Sequence, residues 1–231
     1  MYLSLIIPTL NEEKNVFELL NHLSAVQDID QVEILVCDGQ SHDRTAEVCA
    51  NMNIPVVECE RGRAVQMNKG ARQAKGDILY FVHADTRPPL SFVHDIRLAL
   101  EEGYDMGSYR FRFDSANKLL KINNFFTRFN KMWTRGGDQS LFITREVFEL
   151  LGGYREEFVI MEEYDLLRRA KGHDFRFKIL PGDILVSARK YEGNSYLKVQ
   201  FANLVVFNMF RLGYEPKRIL ETYRRLIDYR S

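Results

Sequence analysis

Apolar and polar positions alternate along the first hundred residues in a repeating rhythm. Residues 3–7 form an apolar run closed by Pro8, a strand-length segment. Residues 12–26 place Val16, Leu19, Leu20 and Leu23 at three- and four-residue spacing, which predicts a helix with one apolar face. Residues 32–37 read as a second strand ending at Asp38-Gly39, and Ser41 or Asp43 is placed to cap the helix that follows. Residues 54–57 predict a third strand, 63–74 a helix, 77–82 a fourth strand and 91–100 a helix. The fourth strand is apolar on both faces, as in a sheet covered on both sides. This order predicts an α/β fold with a mostly parallel, Rossmann-like central sheet flanked by helices. Ligands in such sheets bind at the carboxyl ends of the strands. Residues 8–12, 38–43 and 83–87 fall there.

The second half is less regular. Residues 106–113 alternate as a strand, 116–134 predict a long amphipathic helix and 141–144 a short strand. A short helix over 146–151 ends at Gly152-Gly153. A helix follows over 163–170, then strands over 175–180 and 184–188. Helices over 196–212 and 216–229 close the chain, the latter with Pro216 in a favoured first-turn position. With no repeat, low-complexity stretch or Pro/Gly/Ser linker, one domain over 1–231 is the simplest organisation.

Composition narrows the function classes. Thirty-two Lys and Arg against 32 Asp and Glu give zero net charge, against the basic excess of a nucleic-acid binder. With 45% hydrophobic residues the chain is ordinary globular material. Cys37, Cys49 and Cys59 form no CxxC pair and read as reduced thiols, pointing to a cytoplasmic protein. No signal peptide is visible, and the longest mostly apolar stretch, 201–210, is far below the roughly 20 residues that span a bilayer.

Chemistry concentrates at a few places. His83-Ala84-Asp85 closes the fourth strand with two side chains on one face, either a hard-cation site or a cap with a hydrogen-bonded histidine. Arg63, Gln66, Asn68 and Lys69 open a helix and suit a diphosphate, or form a solvated basic face. Gly136-Gly137-Asp138-Gln139 is a polar joint. Glu162, Glu163 and Asp165 crowd a helix start, where they complement the helix dipole or hold a general base. On the helix over 116–134, Leu119, Ile122, Phe126, Phe129 and Trp133 share a face, and seven Lys and Arg oppose the lone Asp114 over 108–135. That helix meets a membrane surface, or covers the sheet or a dimer partner.

Taken together the segments resemble family-2 glycosyltransferases of the GT-A fold. Leu5-Ile6-Ile7-Pro8-Thr9-Leu10-Asn11-Glu12 is similar to the family's opening strand, and Asp38-Gly39-Gln40-Ser41-His42-Asp43-Arg44-Thr45 to its D-G-x-S-x-D-x-T turn. His83-Ala84-Asp85 stands where the family's D-x-D metal motif lies, and Glu162-Glu163 where its Glu-Asp pair lies. The segments 62–71, 83–86, 137–139 and 187–189 further resemble a bacterial subgroup associated with radical-SAM or selenoprotein-like domains, some linked to arsenosugar biosynthesis.

The resemblance implies an inverting, single-displacement transfer of a sugar from a nucleotide-diphosphate donor, UDP- or GDP-linked, to an acceptor hydroxyl. Residues 1–105 would form the nucleotide-sugar half and 106–231 the acceptor half with a helical extension. Pro8, Thr9, Asn11, Glu12, Asp38, Gly39, Arg63, Gln66, Asn68, His83, Ala84 and Asp85 are then expected on the donor side. Gly137, Asp138, Gln139, Glu162 and Arg189 are expected on the acceptor side. Asp85, with His83, would hold Mn²⁺ or Mg²⁺, and Glu163 would act as base with Glu162 and Asp138 in reserve. The acceptor is a small or lipid-linked molecule. The Gln-x-x-Arg-Trp motif of processive members is absent, which implies transfer of one sugar. A silent nucleotide-sugar binder and a nucleotidyltransferase are the alternatives. The first is motivated by His83 and Glu163 standing in place of aspartates, and the second lacks a Gly/Arg-rich loop after strand one.

Overall fold

The structure, a computed structural model, describes residues 2–115, 117, 119–129 and 139–228. In the first half β1 (Leu3–Thr9), β2 (Val32–Asp38), β3 (Val56–Glu58) and β4 (Ile78–Phe81) alternate with α1 (Glu13–Leu23), α2 (Thr45–Asn51) and α3 (Arg63–Gln73), and α4 (Phe92–Glu101) follows. Each expected element of this half is present within a few residues. The first strand is longer than expected because Pro8 does not stop it. The carbonyl of Ile6 accepts from the Val82 N–H, so residue 8 also turns its backbone toward β4. There the β1–β4 pairing has already ended, at Ile6 and Phe81, and the missing N–H leaves no ladder bond unmade.

A short β5 (Thr86–Arg87) lies between β4 and α4, and the second half holds β6 (Met106–Asp114), α5 (Leu120–Phe126), β7 (Leu141–Thr144), α6 (Arg145–Leu150), α7 (Glu162–Ala170), β8 (Phe177–Ser187), α8 (Tyr196–Arg211) and α9 (Pro216–Leu226). Three differences from the sequence expectation stand out. The helix expected over 116–134 is a two-turn segment, Leu120–Phe126, and part of its expected span, including Trp133, lies outside the described residues. The two strands expected around Pro181-Gly182 are one, β8. Pairing with β6 runs to Leu180, skips two residues, and resumes at Asp183, a bulge where the sequence reads a break. The two-residue β5 was not legible at all. It pairs antiparallel with β8 at Val186 and Leu185, and so ties the end of β4 to the end of β8.

The sheet order is β3-β2-β1-β4-β7-β6-β8-β5. β3, β2, β1 and β4 run parallel, while β7 is antiparallel to both β4 and β6. The sheet is therefore mixed, parallel on the side of the first four strands. One apolar cluster packs α1 and α4 on one face, with Leu5, Leu19, Tyr80, Phe92 and Phe142. A second packs α3, α6 and α7 on the other, with Ile6, Met67, Phe81, Phe148 and Leu166. α8 and α9 close a third cluster around Val199, Phe210, Ile219 and Tyr223, which also receives Phe158 and Met161.

Candidate active site

The carboxyl ends of β1, β2 and β4 converge with the start of α7 and the exit of β8. The turn after β2 is built from its own side chains. Asp38 is buried and accepts from the Thr9 hydroxyl (3.1 Å), the Ser41 hydroxyl (2.6 Å) and the Ser41 N–H (2.9 Å). Three donors fill most of the roughly four acceptor sites of a carboxylate. Asn11, at φ 53°, accepts from the His42 N–H (2.8 Å) and donates its own N–H to Ser41 Oγ (2.8 Å). Asp43 accepts from the N–H groups of Glu13 and Thr45, both at 3.0 Å, and from the Thr45 hydroxyl. Its slight burial works against ionisation, but the Thr45 hydroxyl and these N–H groups outweigh it and hold the carboxyl below its usual range. Of the two residues expected to cap α2, Asp43 accepts the Thr45 N–H at its start, and sequence reasoning missed that Ser41, Asp43 and Thr45 also accept the N–H groups of Asn11, Glu13 and Glu12. They fix the start of α1 against the turn.

Gln66 and Asn68, expected on the donor side, face the scaffold. The Gln66 amide donates to the carbonyls of Thr9 (2.6 Å) and Cys37 (2.7 Å), joining the ends of β1 and β2. A Cβ on Gly39 would meet the Gln66 amide at 3.0–3.2 Å, which is why the residue after Asp38 is glycine. Asn68 donates to the Tyr154 carbonyl (2.8 Å) and accepts the Tyr154 N–H (2.9 Å), locking the segment after α6 onto α3. Gln139 is buried with Ser108 Oγ at 3.5 Å. Ala84 is buried, and its carbonyl accepts from Arg87. Gly137 and Asp138 lie outside the described residues. Cys37 is core, its thiol pushed up by its hydrogen bond with Cys59 and by burial.

Charged groups carry the rest of the site. Met161, at φ 68°, turns the chain into α7, so that Glu162 and Glu163 open the helix. Glu162 is buried, ion-paired to Arg63 at 3.0 Å through Oε1, while its Oε2 has no hydrogen-bond partner among the described residues. Burial, then the charge of Glu163, push the Glu162 carboxyl up, and Arg63 offsets part of this. Glu163 lies 3.5 Å from His83 Nε2. Burial pushes Glu163 up as well, but the bond to His83, its charge and that of Arg63 outweigh it and hold the carboxyl below its usual range. The two glutamates are thus driven apart, one toward the acid form and one toward the ionised base. Asp165, one turn on, is fully buried against Arg169 (2.8 Å), Arg168 (3.0 Å) and Arg155 (3.7 Å). Its i+3 and i+4 arginines were legible as helix pairs.

Asp85 sits between β4 and β8, its carbonyl accepting the Ser187 N–H. Its carboxylate is 3.2 Å from Arg189, which also pairs with Glu12 at 3.0 Å. Arg189, expected on the acceptor side, thus meets Glu12 and Asp85, two residues expected on the donor side. The antiparallel β5–β8 pairing that brings it there was the element invisible in sequence. A hard divalent ion that keeps phosphate oxygens needs only one or two carboxylates. Asp85, part exposed at the cleft, fits that requirement. His83 Nε2 is engaged by Glu163, so of the two expected ligands Asp85 is the better candidate. Among the described residues no cluster of three or more His, Cys, Asp or Glu side chains forms a metal cage.

Residues 4–149 match glycosyl transferase family 2. The chain belongs to that family. Within it, the chain is 31% identical over 113 residues to the dolichol-phosphate mannosyltransferase of Pyrococcus furiosus, 46% of this chain and 32% of that protein. It is 34% identical over 116 residues to the 4,4'-diaponeurosporenoate glycosyltransferase of Staphylococcus haemolyticus, 47% of this chain and 30% of that one. The match thus spans about a third of the length of these family-2 relatives. S. aureus TarS 1-349, solved in complex with UDP-GlcNAc, superposes with TM-score 0.70 at 18% identity, covering 98% of this chain and 71% of that one. The mannosyltransferase PcManGT of Pyrobaculum calidifontis, solved with GDP-Man and Mn²⁺, superposes with TM-score 0.67 at 21% identity, covering 97% and 69%. These likenesses establish the fold, the GT-A arrangement expected of a family-2 chain.

Proposed function

We propose that the protein transfers one sugar from a nucleotide-diphosphate donor to an acceptor hydroxyl by a single inverting displacement. The observation that carries this reading is the convergence of Thr9, Asp38, Asp85 and the His83–Glu163 pair at the carboxyl ends of β1, β2 and β4. Nucleotide-sugar complexes of the similar TarS and PcManGT structures support it. Thr9, Asp38 and Gly39 hold the nucleoside, with Gln66 beneath the turn keeping the strand ends fixed. Arg63, at the N-terminus of α3, supplies positive charge toward the diphosphate. Asp85 would hold Mn²⁺ or Mg²⁺, which when bound neutralises the charge on the departing nucleoside diphosphate. Glu163, ionised at neutral pH, accepts the proton of the acceptor hydroxyl as that oxygen attacks the anomeric carbon. Glu162 stays behind it, paired to Arg63. The subgroup resemblance of the sequence motifs is part of this proposal and leaves the acceptor open.

The acceptor side has one further feature. α5 and its flanks expose Leu119, Ile122, Phe125, Phe126 and Phe129 at 39–51%. The apolar stripe therefore faces outward instead of covering the sheet. Asn123 of α5 bonds Tyr196 at the start of α8 (2.9 Å), and α8 in turn exposes Leu197, Phe201 and Leu204. Residues 119–129 and 196–212 contain Lys and Arg but no Asp or Glu. An exposed, acid-free apolar face suits an anionic bilayer surface and an acceptor carried there. Among the described residues no helix is long and apolar enough to cross a membrane.

Donor hydrolysis across a panel of UDP- and GDP-sugars, with Mn²⁺ and with EDTA, tests the activity. Turnover of a nucleotide sugar that EDTA and Asp85→Ala abolish is expected. Binding without turnover for any donor and acceptor would favour a silent binder. Pyrophosphate release from a nucleoside triphosphate and a sugar phosphate would favour a nucleotidyltransferase. Co-sedimentation with vesicles should occur with phosphatidylglycerol and fail with phosphatidylcholine alone. Equal sedimentation with both, or none, rules out the membrane face.

A further inference from the structure

Arg189 makes contacts that neither half of the sequence expectation explains. Its Nη2 lies 3.0 Å from Glu12 Oε1 and 3.2 Å from Asp85 Oδ2, and its Nη1 lies 3.3 Å from Glu12 Oε2. The guanidinium fork is bidentate on Glu12 and at the same time caps the carboxylate left to receive a cation. The side chains are part exposed, 48% for Arg189, 17% for Glu12 and 20% for Asp85. Ion pairs of this kind are weak and easily exchanged. The residue also opens only a single turn, Arg189–Tyr191, on the exit from β8, so its side chain is not held by a long helix. A divalent ion approaching Asp85 meets a positive charge already in place. A diphosphate offers the same fork the planar oxygen pairs it now finds on carboxylates, with more negative charge.

We propose that Arg189 is an exchangeable counter-ion of the donor site, covering Asp85 against a divalent cation until a nucleoside diphosphate draws the guanidinium away. This rests on the donor-site reading above and adds an order to it. Cation and nucleoside diphosphate bind together, each raising the affinity of the other, because both require the same guanidinium to leave Asp85. Without the diphosphate the guanidinium stays on Asp85 and offsets one of the two carboxylate charges, which makes the cleft a poorer site for cations. Arg189 is in this sense a positioning residue for the charges of the site.

Mn²⁺ binding followed by electron paramagnetic resonance of the free ion tests this without turnover. In the absence of nucleotide, Arg189→Ala should bind Mn²⁺ about fivefold or more tighter than the wild type, with Arg189→Lys between them. Asp85→Ala should remove the gain in the Arg189→Ala background. Adding UDP or GDP should raise wild-type Mn²⁺ affinity, and this rise should shrink in Arg189→Ala. Equal Mn²⁺ affinities of wild type and both folded Arg189 variants without nucleotide would overturn the proposal. Failure of every nucleoside diphosphate to bind would instead overturn the donor-site reading, while the nucleotide-free comparison would still decide whether Arg189 covers Asp85.

Discussion

The turn after β2 and the start of α7 both crowd carboxylates, and they hold them by opposite means. Asp38 and Asp43 are satisfied by neutral donors, the hydroxyls of Thr9, Ser41 and Thr45 and backbone N–H groups. Glu162, Glu163 and Asp165 instead face basic side chains, Arg63, His83 and three further arginines, and Glu162 Oε2 is left without a donor among the described residues. Neutral donors on a turn fix geometry without adding a charge of their own. Cationic partners set the charge state of the carboxylate and change it when they move or are neutralised. In the function proposed above, the first region serves as a rigid rim for the nucleotide and the second as the place where the proton is handled. Within α7 the same distinction recurs. Asp165 has three arginines and no exposure, and serves the scaffold, whereas Glu163 has one histidine and stands at the edge of the cleft.

The sharpest break of this contrast is Glu163→Gln. It should lower transfer about 10²–10⁴-fold, the range for loss of a general base, and leave nucleotide-sugar affinity measured by calorimetry nearly unchanged. Retained transfer would move the base to another carboxylate. Next comes Asp165→Asn, which removes the buried carboxylate that Arg155, Arg168 and Arg169 share, only the last of them mostly buried, and should destabilise the fold by about 1.5–3 kcal/mol in urea unfolding. A loss near zero would mean that Asp165 is not the anchor its burial suggests. Ser41→Ala removes one donor to Asp38 and the acceptor for the Asn11 N–H, and should cost about 1–2 kcal/mol by the same measurement.

The smallest effect belongs to Glu162→Gln, and its sign follows from linkage. A carboxyl whose folded pKa is raised binds its proton in the folded state where the unfolded chain has lost it, so folding stability falls as pH rises above the ordinary value of 4.5. Glutamine removes that penalty. Its unfolding temperature should match the wild type at low pH and exceed it by a widening margin as pH rises through the raised pKa. A lower unfolding temperature at neutral pH would show the Arg63 pair to outweigh the burial of Glu162.

Much of the fold was legible because burial leaves period-two and period-3.6 patterns wherever an element packs on one layer. The parallel half and the two closing helices follow from such patterns. Pro8 and Pro181-Gly182 misled because both read as breaks. The first sits where one side of the strand has no partner, and the second is looped out of an otherwise continuous pairing. The outward stripe of α5 has the same periodicity as a buried one, so spacing could not tell which way it faced.

The site divides in the same way. The chain by itself determined which chemistry was present: Asp38 after one strand, Asp85 after another, two glutamates at a helix start, and arginines and a histidine to match them. It also determined the family, because the order of these groups along the chain is a property of sequence alone. Only the tertiary structure decided who meets whom. It sent Gln66 and Asn68 to the scaffold, set His83 against Glu163, and carried Arg189 across 177 positions to Glu12. Residue type fixes what a side chain is able to donate, accept or neutralise. The partner is chosen by strand order and a two-residue β5, and pairings between distant segments leave no local trace in the pattern of either one.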